Sequence, residues 1–225
     1  MAADPGTSPR ERYRRQVREE VKEKAWQQIA GSGASALSLN AIAKQMGMSG
    51  PALYRYFANR DELITELITD AYRSLADAFA AVGAAGPGPA HLAGLAQALR
   101  RWALADPHRY FLVYGTPVPG YHAPQDVTAI ASEMMSVLLD ACAAAGTHPG
   151  GGGSAAVQAF EVQLAGHREW AADHPDAPAG VLRLALAFWS RLHGALSLEL
   201  AGHFAGMGPD PALLYAAEVE GLTTA

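Results

Sequence analysis

The segment SLNAIAKQMGMSGPALYRYF, residues 38–57, constrains the fold more than any other part of the chain. Leu39, Ile42, Ala43 and Met46 recur at steps of three and four or fall next to one another, Gly47 interrupts them, and Leu53 and Phe57 resume the spacing. That pattern predicts two short amphipathic helices whose apolar faces meet at the interrupting turn. Ser38 and Ser49 stand where an N-cap hydroxyl takes up a free amide, and Pro51 falls in a first turn, where its missing N–H costs nothing. Met48 fills the corner between the helices. Helices this short need a third to cover them, and residues 8–31 offer one, with Val17, Val21, Ala25 and Ile29 at four-residue spacing and Trp26 beside them. Three helices so arranged make the core of a helix-turn-helix.

The rest of the chain reads as helices joined by short breaks. Asn59 caps a long fourth helix carrying Leu63, Leu67, Ile68, Ala71, Leu75, Phe79 and Val82 at helical spacing. Further helices are expected over about 91–105, 107–114, 126–145, 155–173, 179–204 and 211–222. Residues 83–90 read as a loop, 115–124 as an ordered crossover too rich in Pro and Gly to be helical, and the glycine block 146–154 as the most flexible internal segment. No stretch alternates with period two, so the expected fold class is all-α. The expected division is a disordered tail over 1–8, a helix-turn-helix domain over 9–60, and a larger helical domain over 61–225 for ligand binding and dimerisation.

Composition narrows the function. Half of the 225 residues are apolar and the mean hydropathy is +0.01, as in a globular protein with a sizeable core. The net charge of −5 is unevenly placed: residues 1–60 hold ten Lys and Arg against five Asp and Glu, a balance of +5, which leaves −10 for residues 61–225. A basic head on an acidic body is expected where only the head neutralises phosphates. The N-terminal run Arg10, Arg12, Arg14, Arg15 and Arg18 offers either a basic arm for the DNA backbone or ordinary solvated charge. No apolar run approaches the length of a membrane span, and the first residues lack the apolar core of a signal peptide, so a cytoplasmic protein without a membrane partner is expected. The single cysteine, Cys142, lies among apolar neighbours and reads as an inert buried thiol.

The longer stretch SLNAIAKQMGMSGPALYRYFANRDEL, residues 38–63, resembles the DNA-binding signature of the TetR family of bacterial regulators. Twelve positions match in order: Ser38, Ile42, Ala43, Gly47, Ser49, Ala52, Leu53, Tyr54, Tyr56, Phe57, Arg60 and Leu63. Arg60 departs from the family's usual Lys, and either cation can meet a phosphate. The resemblance implies double-stranded DNA with a two-fold related operator as partner. The chemistry of the exposed residues agrees. Ser38 at a helix N-terminus presents a hydroxyl and free amides to a phosphate. Tyr54, Tyr56 and Arg60 are placed to hold the backbone. Ser49, Gly50, Ala52 and Arg55, with Lys44 and Gln45 nearby, occupy the face that reads bases, where Arg55 suits guanine and Ala52 a thymine methyl.

In the body, Leu186, Trp189, His193, Leu196 and Leu200 form a stripe at steps of three and four, while Leu184, Phe188, Ala195 and Leu198 occupy the other face. A helix apolar on both sides is buried on both. The small Gly194, Ala201 and Gly202 are expected to permit close helix approach. The segments FWSRLHGALSLELAGHF and DPHRYFLVYGTPVPGY resemble the TetR members named for a Trp, His, Gly motif, here Trp189, His193 and Gly194. That resemblance implies a homodimer built on this helix and its predecessor, with Leu186, Trp189, His193, Gly194, Leu196 and Leu200 at the interface. It also implies a repressor released from its operator by a small-molecule effector, for which Trp102, Phe111, Tyr114 and His167 are the candidate lining residues. His193 reads as a core or interface histidine. His167, Glu169 and His174, or His203 with Glu199, lack a further ligand, so no metal or cofactor is expected. The competing classes are an all-helical small-molecule binder or enzyme, against which stands the lack of a phosphate loop or serine elbow, and a nucleoid- or division-linked DNA binder without an effector.

Overall fold

The computed structural model describes residues 8–83, 88–121, 125–146 and 154–224. Every regular element among them is helical. The helices are α1 Pro9–Ser32, α2 Leu39–Gln45, α3 Gly50–Leu53, α4 Arg60–Ala80 and α5 Gly88–Ala105. They continue as α6 Pro107–Tyr114, α7 Gln125–Ala145, α8 Ala155–Gly166, α9 Ala179–Leu200 and α10 Pro211–Thr223. Two compact units divide the chain, one of residues 1–71 with 108–124, the other of 72–107 with 125–225. The first therefore holds more than a division at residue 60 gives it: the start of α4 and the segment 108–124. The expected tail lies outside the described residues except for Ser8, and so does most of the glycine block.

In the first unit, Ser8 caps α1 in a reciprocal pair: its Oγ accepts the Glu11 amide and the Glu11 carboxylate accepts the Ser8 amide. α1 buries the row Val17, Val21, Ala25 and Ile29 and leaves most of its remaining surface polar. Leu37, Leu39, Ile42, Leu53, Phe57, Leu63, Ile64 and Leu67 extend this unit's buried helical core. α4 is started by Asn59, whose Oδ1 accepts the Glu62 amide, while the Glu62 carboxylate accepts the Ala58 amide.

In the second unit, α5 packs on α7 and α10, and α9 packs on α7, α8 and α10. The inward row of α9 is Val181, Leu182, Ala185, Phe188, Leu192 and Leu196. A polar cross-brace ties three helices: the Arg100 guanidinium grips the Glu199 carboxylate with two donors and lies 5.2 Å from the centre of the Tyr215 ring, whose hydroxyl donates to the Ala96 carbonyl at 2.7 Å. One stretch of α7, Val127–Ala145, is long and apolar enough by composition to span a bilayer, contrary to the expectation that no such run exists. It reads as a core helix, because Ile130, Met134, Leu138, Leu139 and Cys142 are buried and its two acidic residues pair with Arg73 and His174.

Two helices are shorter than their periodicity suggests. α8 stops at Gly166, not Asp173, and a 3-10 turn follows at Glu169–Ala171. The Arg168 guanidinium takes the Ala165 carbonyl, an acceptor that a longer helix would have used, and ties it to the Pro175 and Ala177 carbonyls of the following segment. α9 stops at Leu200, not Phe204, because Gly202 adopts φ 76° and the amides of Gly202 and His203 close back on Glu199 and Leu198. That pair of bonds is a Schellman ending, so Gly202 ends the helix.

Candidate DNA-binding surface

α2 and α3 are joined at the turn the sequence predicts. Gly47 has φ 66°, and the amides of Gly47 and Met48 return to the Lys44 and Ala43 carbonyls, ending α2 in the same way as α9. Ser49 precedes α3, but its hydroxyl caps nothing, and the helix gives way after Leu53 to tighter bonds from Arg55 to Ala52 and from Tyr56 to Leu53. The two helices approach so closely that a methyl on Gly50 would stand 3.3 Å from Asn40 Oδ1. Ile42, Ala43, Leu53 and Phe57 are at most 2% exposed and fix the pair from beneath.

With that core inside, Lys44, Gln45, Ser49, Pro51, Tyr54 and Arg55 are exposed, and Ser38, Gly50, Ala52, Tyr56 and Arg60 are half-buried. The outward set on α2 and on the residues flanking α3 holds two cations, a hydroxyl and a phenol, all able to donate to phosphate or to base acceptors. Ser38 is an N-cap as expected, its Oγ accepting the Ala41 amide at 3.3 Å. Its own amide is taken, however, by Gln28 Oε1 at 3.0 Å. Among the described residues the structure gives no protein acceptor for the amides of Leu39 and Asn40 at the α2 N-terminus.

Two residues that sequence reasoning missed or misplaced support this surface. Gln28 is a polar residue on the flank of an apolar row, and periodicity assigns such residues to solvent. Arg18 is no part of a flexible arm: α1 is helical from Pro9 onward, and Arg18 turns inward, donating to the Tyr56 carbonyl and the Glu66 carboxylate with its guanidinium 4.1 Å above the Phe57 ring. Arg10, Arg12, Arg14 and Arg15 remain exposed on the same helix. Arg60 is 2.8 Å from the Ala34 carbonyl through Nη2, which braces the turn before α2 while its side chain stays 30% exposed.

Of the residues expected to line an effector pocket, Phe111 and Tyr114 fall in the first unit and Trp102 and His167 in the second. Trp102 is 6% exposed and donates its indole N–H to Ser74 Oγ at 2.7 Å, a core arrangement. Phe111 lines a crevice of the first unit whose walls include neither Tyr114 nor Trp102 nor His167. Tyr114 is half-buried with its ring 5.4 Å from that of Tyr110. His167, at the end of α8, is exposed and its Nδ1 lies 3.0 Å from the Gln163 carbonyl.

Burial divides the stripe expected at the subunit contact. Leu196 is fully buried within its own chain, so it cannot face a partner. Leu186, Trp189, His193 and Leu200 are half-buried, and Gly194 is exposed. Trp189 and His193 stack with ring centres 4.3 Å apart, and burial pushes the His193 imidazole down to about 4. The outward side of α9 is instead Arg191, Gly194 and Leu198, which with Leu214, Phe204 and Glu218 form an open groove against α10. No group of three potential metal ligands is placed together among the described residues.

Comparison with known proteins places this geometry. Residues 23–67 match the family described as bacterial regulatory proteins, tetR family, and residues 92–222 match the tetracyclin repressor-like C-terminal domain. The HTH-type transcriptional regulator Rv1816 of Mycobacterium tuberculosis is 36% identical over 213 residues, covering 91% of this chain and 90% of its own. The crystal structure of the regulatory protein SCO4313 superposes with a TM-score of 0.84 at 60% identity, over 97% of this chain and 100% of that one. The TetR family transcriptional regulator PfmR of Thermus thermophilus, 16% identical, shares the fold with a TM-score of 0.58 over 91% of this chain and 97% of its own.

Proposed function

The chain belongs to the TetR family of bacterial transcription regulators, and on that footing we propose that it is a homodimeric repressor which a small molecule releases from a two-fold related operator. The observation that carries the DNA half is the outward set of Lys44, Ser49, Tyr54 and Arg55 on two helices locked over Ile42, Leu53 and Phe57. A rigid backing under these polar side chains lets a helix enter the major groove without the entropic cost of ordering its backbone there. Arg55 reads a guanine, while Tyr54, Tyr56, Arg60 and the Leu39 and Asn40 amides hold phosphates.

The homodimer rests on the outward face of α9 and α10. Leu198 is 45% exposed, Leu213 69% and Leu214 40%, beside the bare backbone of Gly194. Large apolar side chains grouped at the surface mark an interaction site, and a second copy of the same face satisfies them under a two-fold axis. Release follows by population shift: an effector that prefers the conformation poor at binding DNA lowers operator affinity by that preference alone. A reporter driven by the selected operator tests the sign of regulation. Expression of the chain should lower the reporter, and a rise would overturn the repressor reading.

A further inference from the structure

The first compact unit contains a crevice of about 330 Å³ that the helix-turn-helix does not use. Its floor is apolar: Ile29 from α1, Leu112 from α6 and Val118 from the segment after α6 are each at most 8% exposed. Ser35, His108 and Thr116 line the same crevice and are exposed, which puts two hydroxyls and an imidazole at its mouth. Phe111 adds a half-buried ring to the wall. No carboxylate is among the lining residues.

One wall leads directly to the DNA-binding surface. Gly33, Ala34 and Ser35 belong to the lining. The Ala34 carbonyl is the acceptor of Arg60, 2.8 Å away, and the same turn runs within three residues to Ser38, the N-cap of α2. A body that enters the crevice presses on the turn that fixes both Arg60 and the start of α2.

We propose that this crevice is an effector site within the DNA-binding half, taking a two-ring aromatic acid with its rings on Ile29, Leu112 and Val118 and its carboxylate among Ser35, His108 and Thr116. The volume lies at the small end of the range for ligand sites, about 300 to 1,000 Å³, so it holds a bicyclic body and little more. Hydroxyl and imidazole donors at the mouth, with Arg60 bonded to the adjoining wall and no acidic lining group, favour an anionic head. The proposal rests on the reading of this unit as an effector-regulated DNA binder.

The test uses the full-length protein, 2-naphthoate as probe and neutral 2-naphthylmethanol as control, with binding followed by equilibrium dialysis. Thr116→Trp blocks the mouth, and His108→Asp places a negative charge there without filling it. Wild type should bind one 2-naphthoate per chain. Thr116→Trp should weaken both compounds by about tenfold or more, whereas His108→Asp should weaken the acid about tenfold and leave the alcohol unchanged, with Tm held in both variants. Saturating 2-naphthoate should lower duplex affinity at least about fivefold in wild type and not in Thr116→Trp. Absence of 2-naphthoate binding, equal binding by wild type and both variants, or binding without any change in duplex affinity would overturn the proposal. Failure of the protein to bind any duplex would sink the regulator reading instead, and the dialysis result would still decide the site.

Discussion

At the scale of single residues, exposure on a fixed backbone separates roles that composition leaves mixed. Arg55 is free to reach a base, whereas Arg18 is engaged by Tyr56, Glu66 and the Phe57 ring. Arg55→Ala should therefore cost about 1 to 3 kcal/mol on the selected operator and relax preference at one base pair, while Lys44→Ala weakens all duplexes more evenly. Competition titrations against single-base operator variants measure the difference. His193 carries the clearest pH dependence. Burial lowers its pKa from 6.5 to about 4, so the folded state keeps the imidazole neutral through a range in which the unfolded chain takes up a proton. That contribution to stability is complete above pH 6.5 and is lost as pH falls towards 4. Between pH 7 and 5, wild type should lose up to roughly 2 kcal/mol that His193→Gln does not lose, read from denaturant unfolding at each pH.

At the scale of elements, the endings matter as much as the helices. Gly202 at φ 76° is where α9 turns out of its axis, and an alanine there strains the backbone by about 1 kcal/mol, so Gly202→Ala should lower Tm by a few degrees with DNA affinity unchanged in the folded protein. Calorimetry checks this. These endings also show how far periodicity carries. The rows Val17, Val21, Ala25, Ile29 and Ile42, Ala43, Leu53, Phe57 are legible because each is a local pattern of helical spacing, and all eight are buried. The end of α8 is not legible, because it is set by Arg168, which reaches carbonyls as far as nine residues ahead and leaves no mark in spacing. Nor does the α9 stripe reveal its neighbour, since a helix apolar all round gives no sign of which face meets its own chain. Leu196 belongs to the core and Leu198 to the surface. The crevice over Ile29, Leu112 and Val118 is illegible because its walls come from α1 and from α6 with the segment after it, far apart in sequence.

At the scale of the whole molecule, recognition of a two-fold related operator takes two copies of the chain. The first unit presents a single recognition surface, and one helix in one groove gives few base contacts. Pairing through α9 and α10 would supply the second. Leu213→Glu places a charge on the most exposed of the large apolar residues in that face, 69% accessible, and should weaken dimerisation about tenfold or more without unfolding the chain. Sedimentation at graded concentration reads it, and an unchanged dimer would move the interface elsewhere. The most direct test of the central claim is binding-site selection from random duplexes with the purified full-length protein. A homodimeric regulator should enrich a two-fold related sequence whose half-sites lie about 10 base pairs, or a multiple, from centre to centre. Enrichment of a single asymmetric site, or of no sequence at all, would contradict it.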